Sequence, residues 1–405
     1  MDNYKVFDNE YIAHTYGRFD VLITKGKGSL LYDEGGKEYI DFGSGIAVNS
    51  FGVCDDEWKN AVIEQLDKVS HTSNLYYSSP QAKLAKLLCD RTGMKKVFFA
   101  NSGAEANECA IKVARKYSSD KYGDGRSTIV TLVNSFHGRT ITTLSATGQD
   151  VFHKHFGPFT EGFKFAHAGD KDEINALVNE GGVCGIMIEL VQGEGGVIPL
   201  DKDYVDEIAR LCGENDILLI VDEVQTGNGR TGKLYAFENY GIKPDVFTTA
   251  KGLAGGLPFG ACIMGEKTEN TLGKGDHGST FGGNPICAAG AYSILSRIDD
   301  ELLRGVTERS GLIKKKLEAV PEVESVTGLG LMLGVSVKGA AATDVVNKAI
   351  EKGCIPLTAK TKVRLLPALN IPMPVLEKGL DILIDAIKEC VAEQNKDGGF
   401  ATSER

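Results

Sequence analysis

The chain has 405 residues, 42% hydrophobic and 25% charged, with a formal net charge of −10. Such a composition belongs to a globular protein with chain enough for two or three domains. The negative balance argues against a nucleic-acid partner, which asks for a basic face. Apolar runs such as ILLIV at 217–221 are far too short to span a bilayer, so no membrane partner is expected. The opening MDNYKVFDNEY lacks the basic and apolar regions of a signal peptide. Nine cysteines form no C-x-x-C pair and fit no zinc spacing. They read as reduced core thiols, which points to a cytoplasmic protein with no metal site.

In chain order, residues 1–50 carry short strand signals around GSLLYDEGGKEYIDF (28–42). From about 95 to 265 the pattern alternates. Strands are expected at 96–100 (KVFFA), 128–133 (TIVTLV), 184–191 (CGIMIELV), 217–224 (ILLIVDEV), 245–250 (DVFTTA) and 259–265 (FGACIMG). A helix at 104–117 places Ala106, Ala110, Val113 and Tyr117 on one face. Another at 203–215 does so with Val205, Ile208, Ala209 and Cys212, with Asp201 or Asp203 as its cap. Such alternation predicts an α/β domain around a largely parallel sheet. Residues 300–405 mix amphipathic helices with strands (LMLGVSV, KVRLLPAL), and a frayed tail is expected after about 394. The two ends should pack together as a smaller α+β domain. The expected division is 1–60 (N-terminal part of the small domain), 61–295 (large α/β domain) and 296–405 (C-terminal part of the small domain).

The unusual residues lie where strands end, which is where open α/β sheets bind ligands. NSGAEANE (101–108) opens a helix. Ser102 or Asn101 can cap it, Glu105 completes a capping box, and Gly103 and Ala104 let a ligand approach the backbone. Free N–H groups there suit a phosphate; a well-capped helix without a ligand is the alternative. Asp222 and Glu223 end an apolar strand, and one must face inward. A buried carboxylate needs a cation, either an ordinary Arg or Lys or a protonated heterocycle. Lys251 follows a buried strand and opens a glycine-rich turn, KGLAGG. A lone lysine at a strand end is commonly a surface residue, but a desolvated one can serve as an amine nucleophile. Phosphate site, pyridinium partner and Schiff-base lysine together are what pyridoxal phosphate requires.

Seven blocks then stand in one order: NSGAEANECAIKVARK (101–116), SFHGRT (135–140), QGEGGV (192–197), LLIVDEVQTGNGRTG (218–232), PDVFTTAKGLAGGLPFGA (244–261), GDHGSTFGGNP (275–285) and RLLPALN (364–370). In these the chain resembles the class III (subgroup II) pyridoxal-phosphate aminotransferases over nearly its whole length. The resemblance implies a fold type I PLP-transferase with a mostly parallel sheet in its large domain. It implies that Lys251 holds the cofactor covalently and that Asp222 pairs with the pyridine nitrogen, with Glu223 in the same cofactor-binding run. Gln225 would contact the ring oxygen, Phe136 and Val224 the ring faces, and Ser102, Gly103 and Ala104 the phosphate. Thr280, with Ser279 beside it, would reach the neighbouring subunit's site in a homodimer with shared active sites. Arg364 would take the α-carboxylate of glutamate, and Glu194 would neutralise Arg364 when a terminal amine is bound. Arg139 would hold the far carboxylate, with Tyr16 at the same end. His137 reads as a hydrogen-bonded structural histidine, and His277 as packing near the subunit interface.

The implied reaction moves the terminal amino group of N2-acetylornithine to 2-oxoglutarate, giving N-acetylglutamate 5-semialdehyde and glutamate, as in arginine biosynthesis. Ornithine, N-succinylornithine, N-succinyl-diaminopimelate and 4-aminobutyrate are the alternative amines. An aminomutase or decarboxylase, or a non-catalytic binding protein on this fold, are rival readings. Lys251, Asp222 and the Arg364–Glu194 combination argue against them. Two places depart from the family pattern: FGVCDDEW (51–58) stands where a histidine-rich segment is usual, and Leu190 follows Glu189 where proline is usual.

Overall fold

The structure is a computed structural model and describes residues 4–398. Its centre is a seven-stranded sheet in the order Lys96–Ala100, Gly260–Met264, Val246–Thr249, Leu218–Asp222, Val183–Ile188, Thr128–Leu132 and Phe163–Ala166. Gly260–Met264 runs antiparallel to both of its neighbours, and every other pairing is parallel. Val183–Ile188 and Leu218–Asp222 are buried at every residue. Continuous apolar runs are what strands covered on both faces require. Each such Ile, Leu or Val contributes about 1.5–3 kcal/mol on burial.

The helix Gly103–Tyr122 covers one face through Ala106, Cys109, Ala110, Val113 and Ala114. Its small residues let it lie close: a Cβ on Gly185 of the sheet would sit 3.3 Å from that of Ala114. The helix extends the expected 104–117 at both ends. The strand expected to reach 191 stops at Ile188. The sequence pattern predicts no strand at Phe163–Ala166, a four-residue edge pairing only with Thr128–Leu132.

Register fixes the site. Asp222 lies opposite Thr248, Val221 opposite Ile188, and Gly260 opposite Ala100. The last residues of the parallel strands therefore form one rim, and the loops leaving it face one another.

The chain's two ends meet. The hairpin Leu30–Asp33 and Glu38–Asp41 accepts Cys354–Ile355 as a parallel neighbour. Tyr39, Ile40 and Phe42 share a core with Val335, Ile350, Leu376 and Leu383. A second four-stranded sheet runs Val323–Leu329, Met332–Val337, Lys362–Leu365, Leu357–Ala359. It is tied to the central unit by Arg230, 2% exposed, whose Nη1 donates to the carbonyls of Leu331 (3.1 Å) and Pro367 (2.5 Å). Burial pushes that guanidinium's pKa down to about 9, against the pull of Asp41. The last helix, Met373–Gly398, passes the point where fraying is expected; the rest of that tail lies outside the described residues. No helix among the described residues is long and apolar enough to cross a membrane.

Candidate active site

Asp222, Lys251 and the start of the Gly103–Tyr122 helix line one cavity of about 460 Å³ on the rim. Lys251 stands one residue, Ala250, beyond the strand Val246–Thr249 and holds φ +41°, a left-handed conformation costly for a residue with a Cβ. Its amine makes no hydrogen bond or ion pair among the described residues. Burial pushes its pKa below the usual lysine range, opposed mainly by Glu194. A lysine in that state keeps more of its amine unprotonated and nucleophilic.

Asp222 is 4% exposed and triply bonded. Its Oδ2 accepts from Asn107 Nδ2 and from His137 Nδ1, both at 2.8 Å, and its Oδ1 accepts from Val224 N at 3.0 Å. Asn107 is itself fixed, receiving a bond from Thr248 Oγ1 at 2.7 Å and donating to His137 O at 2.8 Å. This carboxylate is aimed and cannot swing. The structural role expected of His137 thus has a target: it orients Asp222.

At the helix start, Ser102 Oγ accepts from Glu105 N (3.2 Å) and Glu105 Oε2 from Asn101 N (2.7 Å). That capping box leaves the N–H groups of Gly103 and Ala104 without a helical acceptor, facing the cavity at the positive end of the helix. Gly103 must lack a side chain, because a Cβ would sit 2.7 Å from Val224 Cγ1. Phe136 and Val224 line the same cavity, as does Arg139, whose guanidinium lies 4.2 Å from the Phe152 ring centroid. Pyridoxal phosphate, the group implied by the sequence, fits this donor set: an unpartnered inward lysine, an oriented carboxylate and two free N–H groups.

Beyond Gln225 the cavity adjoins an ion pair. Arg364 Nη1 meets Glu194 Oε1 at 2.5 Å and Gln225 Oε1 at 3.2 Å. Burial opposes ionisation of Glu194, but Arg364 more than offsets it and the carboxyl sits below its usual range. Arg364 Nε is buried without a partner, so the guanidinium keeps donors for a second carboxylate.

Three expected site residues, Glu223, Tyr16 and Thr280, stand outside this cavity. Glu223 is fully buried but turned away from the cavity, accepting from Thr226 Oγ1 (2.5 Å) and Phe237 N (2.9 Å). Burial lifts its pKa to about 7. Strand alternation sends Asp222 and Glu223 to opposite sides, so only one can serve a cofactor. Tyr16 is 75% exposed and belongs to the N-terminal segment around Asp8 and Arg18, outside this cavity. Ser279 sits at the edge, its Oγ accepting from Asn101 Nδ2 at 3.0 Å, and Thr280 is exposed outside. His277 packs against Phe98 with the rings tilted, centroids 4.5 Å apart.

The sequence pattern also missed two groups. Asn107 is a polar residue on the buried face between Ala106 and Ala110, and that misfit was its signal. Glu189 interrupts the apolar run IMIEL. Its Oε2 accepts from Phe136 N at 2.8 Å, and burial, then Asp222, push its carboxyl well above the usual range. Among the described residues no group of three or more His, Cys, Asp or Glu could hold a metal ion.

This geometry has relatives. The aminotransferase class-III family matches residues 11–387. An acetylornithine aminotransferase of Haemophilus ducreyi is 52% identical over 389 residues, 96% of this chain and 99% of the relative. One of Methanocaldococcus jannaschii is 42% identical, covering 98% of this chain and 100% of the relative. Among solved structures, an ornithine aminotransferase of Toxoplasma gondii described with PLP at its active site superposes with TM-score 0.92 at 29% identity, covering 97% of this chain and 95% of that one. An N-acetylornithine aminotransferase of Stenotrophomonas maltophilia gives 0.83 at 33% identity, covering 94% and 98%. With the family match spanning nearly the whole chain and a partly buried lysine and oriented aspartate on one rim, the chain belongs to the class-III aminotransferases.

Proposed function

We propose that this chain uses pyridoxal phosphate to transfer the terminal amino group of N2-acetylornithine to 2-oxoglutarate, giving N-acetylglutamate 5-semialdehyde and glutamate. The observation that carries it is the Arg364–Glu194 pair beside Lys251. An enzyme that alternates between a terminal amine and an α-amino acid needs an arginine that can be covered and uncovered. The names of the relatives at 42–52% identity supply the acylated diamine.

When bound, pyridoxal phosphate supplies a carbonyl that carries the amino group between substrates and a ring that takes up electrons as a C–H bond breaks. The chain's residues do the rest. Gly103 and Ala104 N–H groups, with Ser102, bind the phosphate. Asp222 holds its negative charge at the ring nitrogen, kept in line by Asn107 and His137. Phe136, Val224 and Gln225, which line the cavity, would hold the ring, the first two at its faces and Gln225 at its oxygen. Lys251 takes the proton from the amino-bearing carbon of the substrate and returns it later in the transfer. With glutamate, Arg364 leaves Glu194 and grips the α-carboxylate through two N–H bonds. With N-acetylornithine, Glu194 stays on Arg364 and removes a charge the terminal amine would meet. Arg139 holds the far carboxylate of either substrate.

The test separates half-reactions. Arg364→Ala should slow the step with glutamate about 100-fold while slowing the step with N-acetylornithine less than about tenfold. Equal losses contradict the account. Ornithine is the second reading, favoured by the higher TM-score with the Toxoplasma protein; faster transfer from ornithine than from N-acetylornithine selects it.

We also infer a homodimer with shared sites. Leu75, Tyr76, Tyr77 and Phe281 are 87%, 70%, 107% and 60% exposed, a large apolar surface beside Thr280. Sedimentation at monomer mass contradicts this. The shared core of Tyr39–Phe42 with residues 306–390 supports the division into a 61–295 domain and a small domain made of 1–60 and 296–405. Nine free thiols support a cytoplasmic setting.

A further inference from the structure

The turn that carries Lys251 does not hold its own shape. Lys251, Gly255 and Gly256 have φ of +41°, +63° and +117°. Inside the turn the backbone makes two bonds, Leu253 N to Ala250 O (2.8 Å) and Leu257 N to Ala254 O (3.3 Å). Side chains from three other places support it. Asn228 Nδ2 donates to Ala250 O at 3.2 Å, Ser50 Oγ to Gly252 O at 3.0 Å, and Trp58 Nε1 to Ala254 O at 2.9 Å. Alternate carbonyls of the turn are thus each held by a different donor.

Trp58 has the largest part. Its indole fills space that two glycines leave: a Cβ on Gly255 would lie 2.8 Å from Nε1, and one on Gly290 2.9 Å from it. The indole is itself anchored. Asp55 Oδ1 accepts from Trp58 N at 2.9 Å and from Arg297 Nη2 at 2.7 Å, and the Arg297 guanidinium lies 4.1 Å from the Phe51 ring centroid. Ala254 stands between two runs that wall the cavity, Ala250–Lys251 on one side and Gly256–Phe259 on the other. A group that fixes the Ala254 carbonyl fixes both runs.

We propose that Trp58 is a positioning residue for Lys251: its indole N–H, held on the Ala254 carbonyl, sets the 251–256 turn and so the place of the lysine amine in the cavity. The inference rests on Lys251 being the cofactor lysine, and it explains what the unusual segment 51–58 does. Trp58 is the chain's only tryptophan, so its environment can be read without ambiguity.

The test compares the loaded enzyme with Trp58→Phe, which keeps an aromatic ring and removes the N–H. Loss of one partly buried hydrogen bond on a strained turn should raise the dissociation constant for pyridoxal phosphate about tenfold. The visible circular dichroism of the bound cofactor, per unit of its absorbance, should fall as the lysine becomes less fixed. Ser50→Ala should act in the same direction. A lowered melting temperature with unchanged cofactor affinity and unchanged visible dichroism would mean that Trp58 only supports the fold, and overturns the proposal. If Trp58→Phe does not fold, the unmodified chain labelled with ¹⁵N-tryptophan gives one indole N–H resonance. That resonance should shift, and its hydrogen exchange slow, when pyridoxal phosphate is added; an unmoved resonance overturns the proposal. If the unmodified chain binds no pyridoxal phosphate, the cofactor reading fails along with this one. Binding that Trp58→Phe leaves intact refutes this one alone.

Discussion

The cofactor side and the substrate side of the cavity are built differently. The cofactor side comes from strand ends and one helix start, and its key group is locked: Asp222 has three donors, two of them buried side chains, of which Asn107 is itself bonded to Thr248 and to the His137 carbonyl. The substrate side is drawn from distant segments and is only partly closed. Arg364 has one strong partner and an unsatisfied Nε, and Arg139 is exposed with an aromatic face as its neighbour. One chemical step is common to every substrate, so its apparatus can be rigid. Two substrates of different shape share the other end, so an arginine there needs two states.

Substitutions can break that contrast, and the largest effect belongs to the locked side. Lys251→Ala should reduce turnover by at least about 10⁴-fold in steady-state assays, since nucleophile and proton carrier are lost together. Full activity removes the cofactor assignment. Next comes the orientation of Asp222. Asn107→Ala should weaken pyridoxal phosphate binding by about 10–100-fold in equilibrium dialysis, because a hydrogen bond to a buried charge is lost. An unchanged affinity means Asp222 is held well enough without it. On the open side, the unequal loss of Arg364→Ala between the two half-reactions is the corresponding test.

Glu223 sharpens the comparison from outside the site. Its folded-state pKa of about 7 lies above the ordinary value of 4.5. The folded chain therefore holds the proton more tightly than the unfolded one. The stabilisation is complete below about pH 4.5 and is lost as pH rises through about 7. Urea denaturation should show wild-type stability falling between pH 5 and about pH 8, with a flatter dependence for Glu223→Gln. Identical slopes remove this account of Glu223. The smallest effect should come from Tyr16→Phe, which ought to change kcat/KM by less than about twofold, given the side chain's exposure. A loss of tenfold or more would bring the N-terminal segment back to the substrate end.

The same contrast decides what could be read from sequence. Lys251, Asp222 and Gly103 follow strands whose apolar runs are unmistakable, so their place on the rim follows from the α/β pattern. Period-2 alternation says that one of Asp222 and Glu223 faces the cavity, but not which; neighbours 115 and 85 positions away, Asn107 and His137, select Asp222. Contacts at such separations leave no local pattern. Phe163–Ala166 is a four-residue edge strand, FKFA, paired on one side only, so no continuous apolar run marks it in the sequence. Tyr16 belongs to a segment that packs few apolar groups, so nothing in its spacing fixed its direction. The Arg364–Glu194 pair joins residues 170 positions apart, and only the resemblance of whole blocks to a family put them side by side.

The most direct measurement is a single-turnover absorbance experiment on the cofactor-loaded enzyme, mixed in turn with N-acetylornithine, N-succinylornithine, ornithine and 4-aminobutyrate without any keto acid. The account predicts loss of the lysine-bound cofactor's visible band, fastest with N-acetylornithine, and its return when 2-oxoglutarate is added. A band that none of these amines discharges, or that ornithine or 4-aminobutyrate discharges faster, contradicts the proposed reaction.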